Sequence, residues 1–293
     1  QSASGSTTNV SDFPLLVHSF YKEAYNSYRT QIRFVHFASP SADKLDTIRN
    51  ARKEIPTARI LFHYVGFGYP DPEDGCIFTC EGKNSSMVKY KAEKLIEYIK
   101  PPSIFIFDCN NAGTIFNSLI NYVRKHSNDS NNTTSQSHPE YVKSQTSWKD
   151  WFCLCSTNKE SLPLNSKLPR DFLTSCLLSP VQTSILCHIV QYYNTTSKFG
   201  KDPFEYIKKN FNKFNNGKIN ELIEILHSIS DSIASEILDP LIFSRTFRGD
   251  QIISSLFYHF MLAQFLLNPY NVHPLSFPVI PASSSRHPLW MEW

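Results

Sequence analysis

The stretch Pro102-Ser-Ile-Phe-Ile-Phe-Asp108-Cys109-Asn110-Asn111-Ala112-Gly113 decides the fold. Its first half is a short apolar run of β-favouring residues behind Pro101-Pro102, and it reads as a strand buried on both faces. It passes without a linker into a helical pattern through Ile115, Phe116, Leu119, Ile120 and Val123. Upstream, Arg59-Ile-Leu-Phe-His-Tyr-Val65 is a second such run, ended by Gly66 and Gly68. Between the two strands, residues 89–100 (KYKAEKLIEYIK) form a helix-like stretch with Leu95, Ile96 and Ile99 facing inward. Strand, helix, strand, helix in this rhythm implies parallel βαβ units whose right-handed crossovers place helices on both faces of one sheet. The fold class is therefore α/β with a mostly parallel sheet.

Outward from this centre, residues 14–29 carry Leu15, Leu16, Phe20, Ala24 and Tyr28 at helical spacing, and Ser39-Pro40-Ser41 opens a second helix through Leu45, Ile48, Ala51 and Ile55. Cys76–Thr79 reads as a short strand after a Gly-, Pro- and Asp-rich loop. Residues 126–140 contain no aliphatic or aromatic side chain and cannot offset the entropy of ordering, so a mobile insertion is expected over 126–147. Trp151–Cys155 and Phe172–Cys176 read as strands, and Pro180 at a first helical position opens another helix. Residues 219–238 and 250–267 form two longer helices. The second is apolar on several faces and is expected to pack on the sheet and on a further partner outside these residues. Five prolines between 269 and 288 imply an extended strap. The expected organisation is a disordered lead at 1–13, an α/β domain at 14–215, and C-terminal helices with a proline-rich strap at 216–293.

Composition excludes several functions. Lys and Arg number 29 against 26 Asp and Glu, a net charge of +3 over 293 residues, which argues against nucleic-acid binding. The polar start QSASGSTTNVSD lacks the apolar stretch of a signal peptide, and no uninterrupted apolar run reaches the roughly 18 residues of a membrane span. A soluble, intracellular protein without membrane insertion is expected. It lacks an initiator Met and stops inside an apolar run, as a piece of a longer protein would. Seven cysteines, an odd number, fit reduced and mostly buried thiols. Neither Cys153/Cys155 nor Cys76/Cys80 has partners at zinc spacing, no G-x-G-x-x-G or G-K-[ST] cradle follows the Gly66-Phe67-Gly68 turn, and no HExxH occurs. No metal or cofactor is expected.

In an open parallel sheet, ligands and catalytic groups gather at the carboxyl ends of the strands. Here those ends read His63-Tyr64-Val65-Gly66-Phe67-Gly68 and Asp108-Cys109-Asn110-Asn111-Ala112-Gly113. Together they resemble the caspase-like cysteine proteases, where one strand ends in a G-H-G turn carrying the base and the next in D-x-C-x-S-G carrying the nucleophile. Two positions depart from that pattern. Phe67 stands where the base would be and can accept no proton. Asn110 stands where the nucleophile would be, and Cys109 lies one residue earlier, an offset that turns its side chain toward packing. His63, four residues before Phe67, lies roughly 13 Å away along an extended chain, too far to substitute, and reads as a histidine hydrogen-bonded within the sheet. The remaining histidines read as surface or helix residues.

A narrower resemblance covers nearly the whole chain. Leu61-Phe-His-Tyr-Val-Gly-Phe-Gly-Tyr-Pro70 is similar to LFHYNGHGVP of the Raptor family, and residues 102–113 to its PSIFVYDCSNAG. Leu168-Pro-Arg-Asp-Phe-Leu-Thr-Ser-Cys-Leu-Leu-Ser-Pro180 is similar to LPADLFTSCLTTP, and Trp290-Met-Glu-Trp293 to WQAW. The resemblance implies a caspase-like three-layer α/β/α domain without protease activity, leading into an α-solenoid outside these residues. It implies a non-catalytic scaffold subunit of TOR complex 1 that positions substrates for the TOR kinase. It further implies partners of three kinds: that kinase, substrates with short Phe-containing acidic motifs, and Rag-type small GTPases. The implied location is the cytoplasm, with recruitment to the lysosome or vacuole surface. The competing enzymatic reading is a residual cysteine peptidase using Cys109.

Overall fold

The computed structural model describes residues 17–19, 21–22, 33, 35, 37, 41–66, 70–81, 86–129, 148–162, 168–192, 209 and 216–293. In chain order these form α1 (Ala42–Asp46), α2 (Ile48–Glu54), β1 (Ile60–Val65), β2 (Cys76–Glu81), β3 (Ser86–Lys91), α3 (Ala92–Ile99), β4 (Ser103–Asp108) and α4 (Ala112–Asp129). There follow β5 (Trp151–Cys155), α5 (Phe172–Leu178), α6 (Pro180–Tyr192), α7 (Asn216–Ile237), α8 (Pro240–Phe243), α9 (Gln251–Leu267) and β6 (Leu275–Phe277). The main sheet has the order β1-β4-β5-β6, with the first three strands parallel and β6 antiparallel to β5.

Central strand β4 is buried at every residue, and its two faces organise the two cores. Period-two alternation sends Ile104 and Ile106, with Phe152 and Leu154 of β5, toward α5, α7 and α9. Phe105 and Phe107, with Trp151, Cys153 and Cys155, face α3 and α4 on the other side. This is the α/β/α layering that the strand-helix rhythm implies.

Several local expectations are corrected. The helix read across 41–55 breaks at Thr47, whose hydroxyl donates to the Lys44 carbonyl at 2.6 Å. Residues 89–91, read as the start of a helix, finish β3, which pairs with β2 in a separate antiparallel hairpin. The alternation is visible there once the pairing is known: Tyr90 is buried and donates to Asp46 at 2.8 Å, while Lys89 and Lys91 point outward. Phe172–Cys176 is the helix α5. Phe172, Leu173, Thr174, Cys176 and Leu177 are all buried, and a segment apolar all round carries no periodicity to tell strand from helix. The strap is partly regular, because Leu275–Phe277 supplies the fourth strand of the main sheet. Helix α4 continues through Asp129, so residues 126–129 of the expected insertion are helical; 130–147 and the lead at 1–13 lie outside the described residues.

Helix α9 is largely covered within this chain. Thirteen of its residues are buried within this chain, and Asp250 caps it by accepting from the amides of Ile252 and Ile253 at 2.8 and 3.1 Å. Gln251–Tyr270 is long and apolar enough to cross a bilayer by composition, but 67% of that window is inside the protein, as in a core helix. Its buried polar groups are paired: Gln264 accepts from the Ser284 hydroxyl at 2.8 Å, and His259 bonds the Leu177 carbonyl at 2.7 Å.

At the opposite end of the sheet, Arg52 of α2 gathers six carbonyls. Its guanidinium donates to Ile55, Pro56 and Ala58 at 3.2, 3.1 and 2.7 Å, to Lys100 and Pro102 at 3.0 and 2.9 Å, and to Ile99. The planar five-donor fork thus closes the C-terminal ends of α2 and α3 and the entries to β1 and β4 at once. At the far end of β4, the buried Asp108 accepts from the Thr174 amide at 2.7 Å, while its other oxygen has no hydrogen-bond partner. Burial, reinforced by Asp171, pushes Asp108 up to about 7; burial alone pushes Asp171 up to about 6.

These two ends give two predictions. Arg52→Ala should lower unfolding free energy by about 2–4 kcal/mol, because it strands several carbonyls near the surface, and Arg52→Lys should recover little since an ammonium cannot fork. Chemical denaturation of the three proteins checks it. Second, folded Asp108 holds its proton up to about 7, whereas an unfolded Asp releases it near 3.9. The folded state therefore binds more protons in that window, so this group's contribution to stability is highest at low pH and falls as pH rises through the window. Asp171 has the same sign. Relative to Asp108→Asn, the wild-type protein should lose on the order of 2–3 kcal/mol between pH 5 and pH 8 in urea melts.

Candidate functional site

The carboxyl ends of β1 and β4 do come together. The Gly66 amide donates to the Asp108 carbonyl at 2.9 Å, and a Cβ at Gly66 would lie 2.6 Å from Cys109 Cβ and 2.8 Å from the Tyr64 ring. Glycine is therefore required where the turn after β1 passes the residue after β4. Phe67, at the position of the family's base, lies outside the described residues.

Cys109 is buried and packs with Phe105, Phe107 and Ala112. Its backbone is held by the strand end that follows: its amide donates to Ser156 Oγ at 3.0 Å, and its carbonyl accepts from Ser156 Oγ at 2.9 Å and Thr157 Oγ1 at 3.1 Å. Burial, with Asp108 and Asp71 nearby, pushes its thiol well above the ordinary range, and the protonated thiol is a poor nucleophile.

Asn110 is tied down through its side chain, whose Oδ1 accepts from the Leu162 amide at 2.8 Å. Asn111 follows in the left-handed region at φ +52°, donates from Nδ2 to the Pro72 carbonyl at 2.8 Å, and donates its amide to Glu160 at 3.2 Å. Asn tolerates that conformation better than most residues. Gly113 then passes so close to the next loop that an added Cβ would meet the Asn158 carbonyl at 2.4 Å. Its amide donates to that same oxygen at 2.8 Å, and the Ala112 amide to Thr157 Oγ1 at 3.0 Å. The first amides of α4, which elsewhere would receive an anion or oxyanion, are thus in part occupied by the loop after β5.

His63 faces the other side of the sheet. Its Nδ1 contacts the Tyr21 hydroxyl at 2.7 Å and its Nε2 the Thr174 hydroxyl at 2.9 Å. The expected in-sheet partner is replaced by side chains from the N-terminal segment and α5. Desolvation pulls this imidazole down to about 3, so it stays neutral. Thr174 emerges as the common tie of both strand ends, with its amide on Asp108 and its hydroxyl on His63. Sequence reasoning missed Thr174, Ser156, Thr157 and Leu162. For Ser156 and Thr157 a signal existed, since they follow β5 at the carboxyl end of the next parallel strand.

Among the described residues no group of three or more His, Cys, Asp and Glu could hold a metal. Cys153 and Cys155 lie with their sulfurs 3.9 Å apart, both in the core. The interactions described at the strand ends are packing, backbone hydrogen bonds and the side-chain ties of Asn110, Asn111, Ser156, Thr157 and Thr174.

Comparison with known proteins agrees with this geometry. Residues 2–119 match the family described as the Raptor N-terminal CASPase like domain. The chain is 30% identical to the target of rapamycin complex 1 subunit KOG1 of Saccharomyces cerevisiae, over 92% of this chain and 19% of that protein. It is 27% identical to the subunit mip1 of the same complex in Schizosaccharomyces pombe, over 93% of this chain and 21% of that one. The crystal structure of Chaetomium thermophilum Raptor superposes with a TM-score of 0.77 and 26% identity, over 97% of this chain and 24% of that chain. The chain thus spans about a fifth of the length of the curated relatives it matches. With the caspase-like layering, the strand-end motifs and this likeness along the whole chain in agreement, the chain is similar to the Raptor family throughout, and residues 2–119 match that family's N-terminal caspase-like domain.

Proposed function

We propose that this chain serves a TOR complex 1 scaffold subunit as its non-catalytic, caspase-like part, recruiting and positioning substrates for the TOR kinase. The observation that carries the non-catalytic half is the Asn110–Leu162 bond. The residue at the nucleophile position is spent on holding a neighbouring loop, and the adjacent thiol is buried and protonated. The names of the relatives support the complex. In this reading substrates present short segments with a Phe anchor and acidic residues, Rag-type GTPases are further partners, and the protein works in the cytoplasm and on the lysosome or vacuole surface. A segment that is disordered when free loses entropy on ordering, so its affinity is on the order of micromolar and rests on the one buried aromatic.

Two outcomes test this. The purified protein should cleave no member of a peptide panel, and alkylation of Cys109 in the native state should be at least a hundredfold slower than that of the more exposed Cys80. Even Phe67→His with Asn110→Cys should restore little activity, because transition-state donors and a shaped pocket are also needed. Cleavage that Cys109→Ala abolishes would revive the peptidase reading. Second, the complex purified from cells through this protein should contain the TOR kinase and bind a Phe-containing acidic peptide in calorimetry. Changing that Phe to Ala should cost at least tenfold, and equal binding of both peptides would remove substrate recruitment.

A further inference from the structure

Where α7 crosses α9, two imidazoles meet end to end. His227 Nε2 lies 3.1 Å from His259 Nε2, with ring centroids 5.2 Å apart. His259 is buried on α9, and its Nδ1 bonds the Leu177 carbonyl at 2.7 Å. A carbonyl only accepts, so Nδ1 carries the proton and Nε2 presents a lone pair toward His227. The pair is satisfied as it stands when His227 holds its own proton on Nε2 and donates it across.

That arrangement is also the one a transition metal uses. A histidine ligand commonly donates its other ring N–H to a backbone carbonyl, which fixes the tautomer and aims the free nitrogen, as Leu177 does for His259. At metal–nitrogen distances of about 2.0–2.1 Å, two nitrogens of one coordination sphere stand roughly 2.9–3.4 Å apart between right-angled and tetrahedral geometry. The observed 3.1 Å falls inside that interval. His227 would have to move its proton from Nε2 to Nδ1, with no change in charge, and the two rings to tilt so that the lone pairs, which now face each other along the N–N line, converge beside it. His227 is partly exposed, whereas His259 is closed off from solvent.

We infer that His227 and His259 form a two-histidine site for an imidazole-preferring divalent transition metal, with water completing the coordination. The neighbouring carboxylate is not a ligand: Asp231, one turn after His227, is engaged by Arg248 through both oxygens at 2.6 and 2.7 Å and accepts from Tyr258 at 2.8 Å. Tyr258 in turn packs on the His227 ring at 4.7 Å and restrains it. With two protein ligands the site is open rather than closed, so it adds a clamp between α7 and α9 and not a folding requirement.

Ni²⁺ is the probe, since imidazole suits it and thiolates compete less than they do for zinc. Calorimetry of the whole protein with Ni²⁺ should show one site, weakened at least tenfold in His227→Gln. The melting temperature should rise with Ni²⁺ in the wild-type protein and stay fixed in that variant. His227 is the partly exposed partner, so its replacement keeps the fold; His259→Gln serves as a second variant only if it remains folded. Cys80→Ser should bind as the wild type does. Absence of binding, or binding that survives His227→Gln, would overturn the assignment and leave a hydrogen-bonded core pair.

Discussion

Burying six consecutive residues between two parallel neighbours removes every backbone polar group of β4 from water, so its hydrogen-bond ladders to β1 and β5 are obligatory. The rest of the fold follows from that constraint. With both edges of the strand committed, its side chains can serve only the two faces, and alternation assigns Ile104 and Ile106 to one core and Phe105 and Phe107 to the other. Each such side chain contributes about 1.5–3 kcal/mol on burial, against about 1 kcal/mol for a net hydrogen bond. Packing therefore supplies the stability, and the polar ties at the two ends set where the chain turns.

The polar ties gather at the carboxyl ends of β1, β4 and β5. In the catalytic arrangement the carboxyl ends of the central strands must stay open, with a thiolate and an imidazole exposed to substrate. Here the polar groups at those ends have structural partners: Asn110 holds Leu162, Ser156 and Thr157 hold Cys109, and Thr174 joins Asp108 to His63.

The central strands are legible because each carries a short run of apolar, β-favouring residues, and the helix after β4 because its apolar residues recur at helical spacing. Residues 89–91 were misread because Lys89, Tyr90 and Lys91 fit both a helix start and an alternating strand, and only pairing with Cys76–Phe78 decides between them. Phe172–Cys176 was misread because a short helix buried on all sides has no polar face. Cys109, Asn110 and Phe67 can be named as motif positions, since motif spacing is local. Their partners could not, because the bonds from Asn110 to Leu162 and from Asp108 to Thr174 span 52 and 66 residues, and a single hydrogen bond leaves no pattern in the sequence.

The central claim is that the ends of β1 and β4 are a locked part of the core and not an open cleft. Native-state hydrogen exchange at the amides of Cys109, Ala112, Gly113 and Leu162 reads this directly, because each donates to a named acceptor. The account predicts that all four exchange only through openings close in free energy to global unfolding. Exchange of these amides at the rate of a solvent-exposed loop, while those of β4 stay protected, would contradict it.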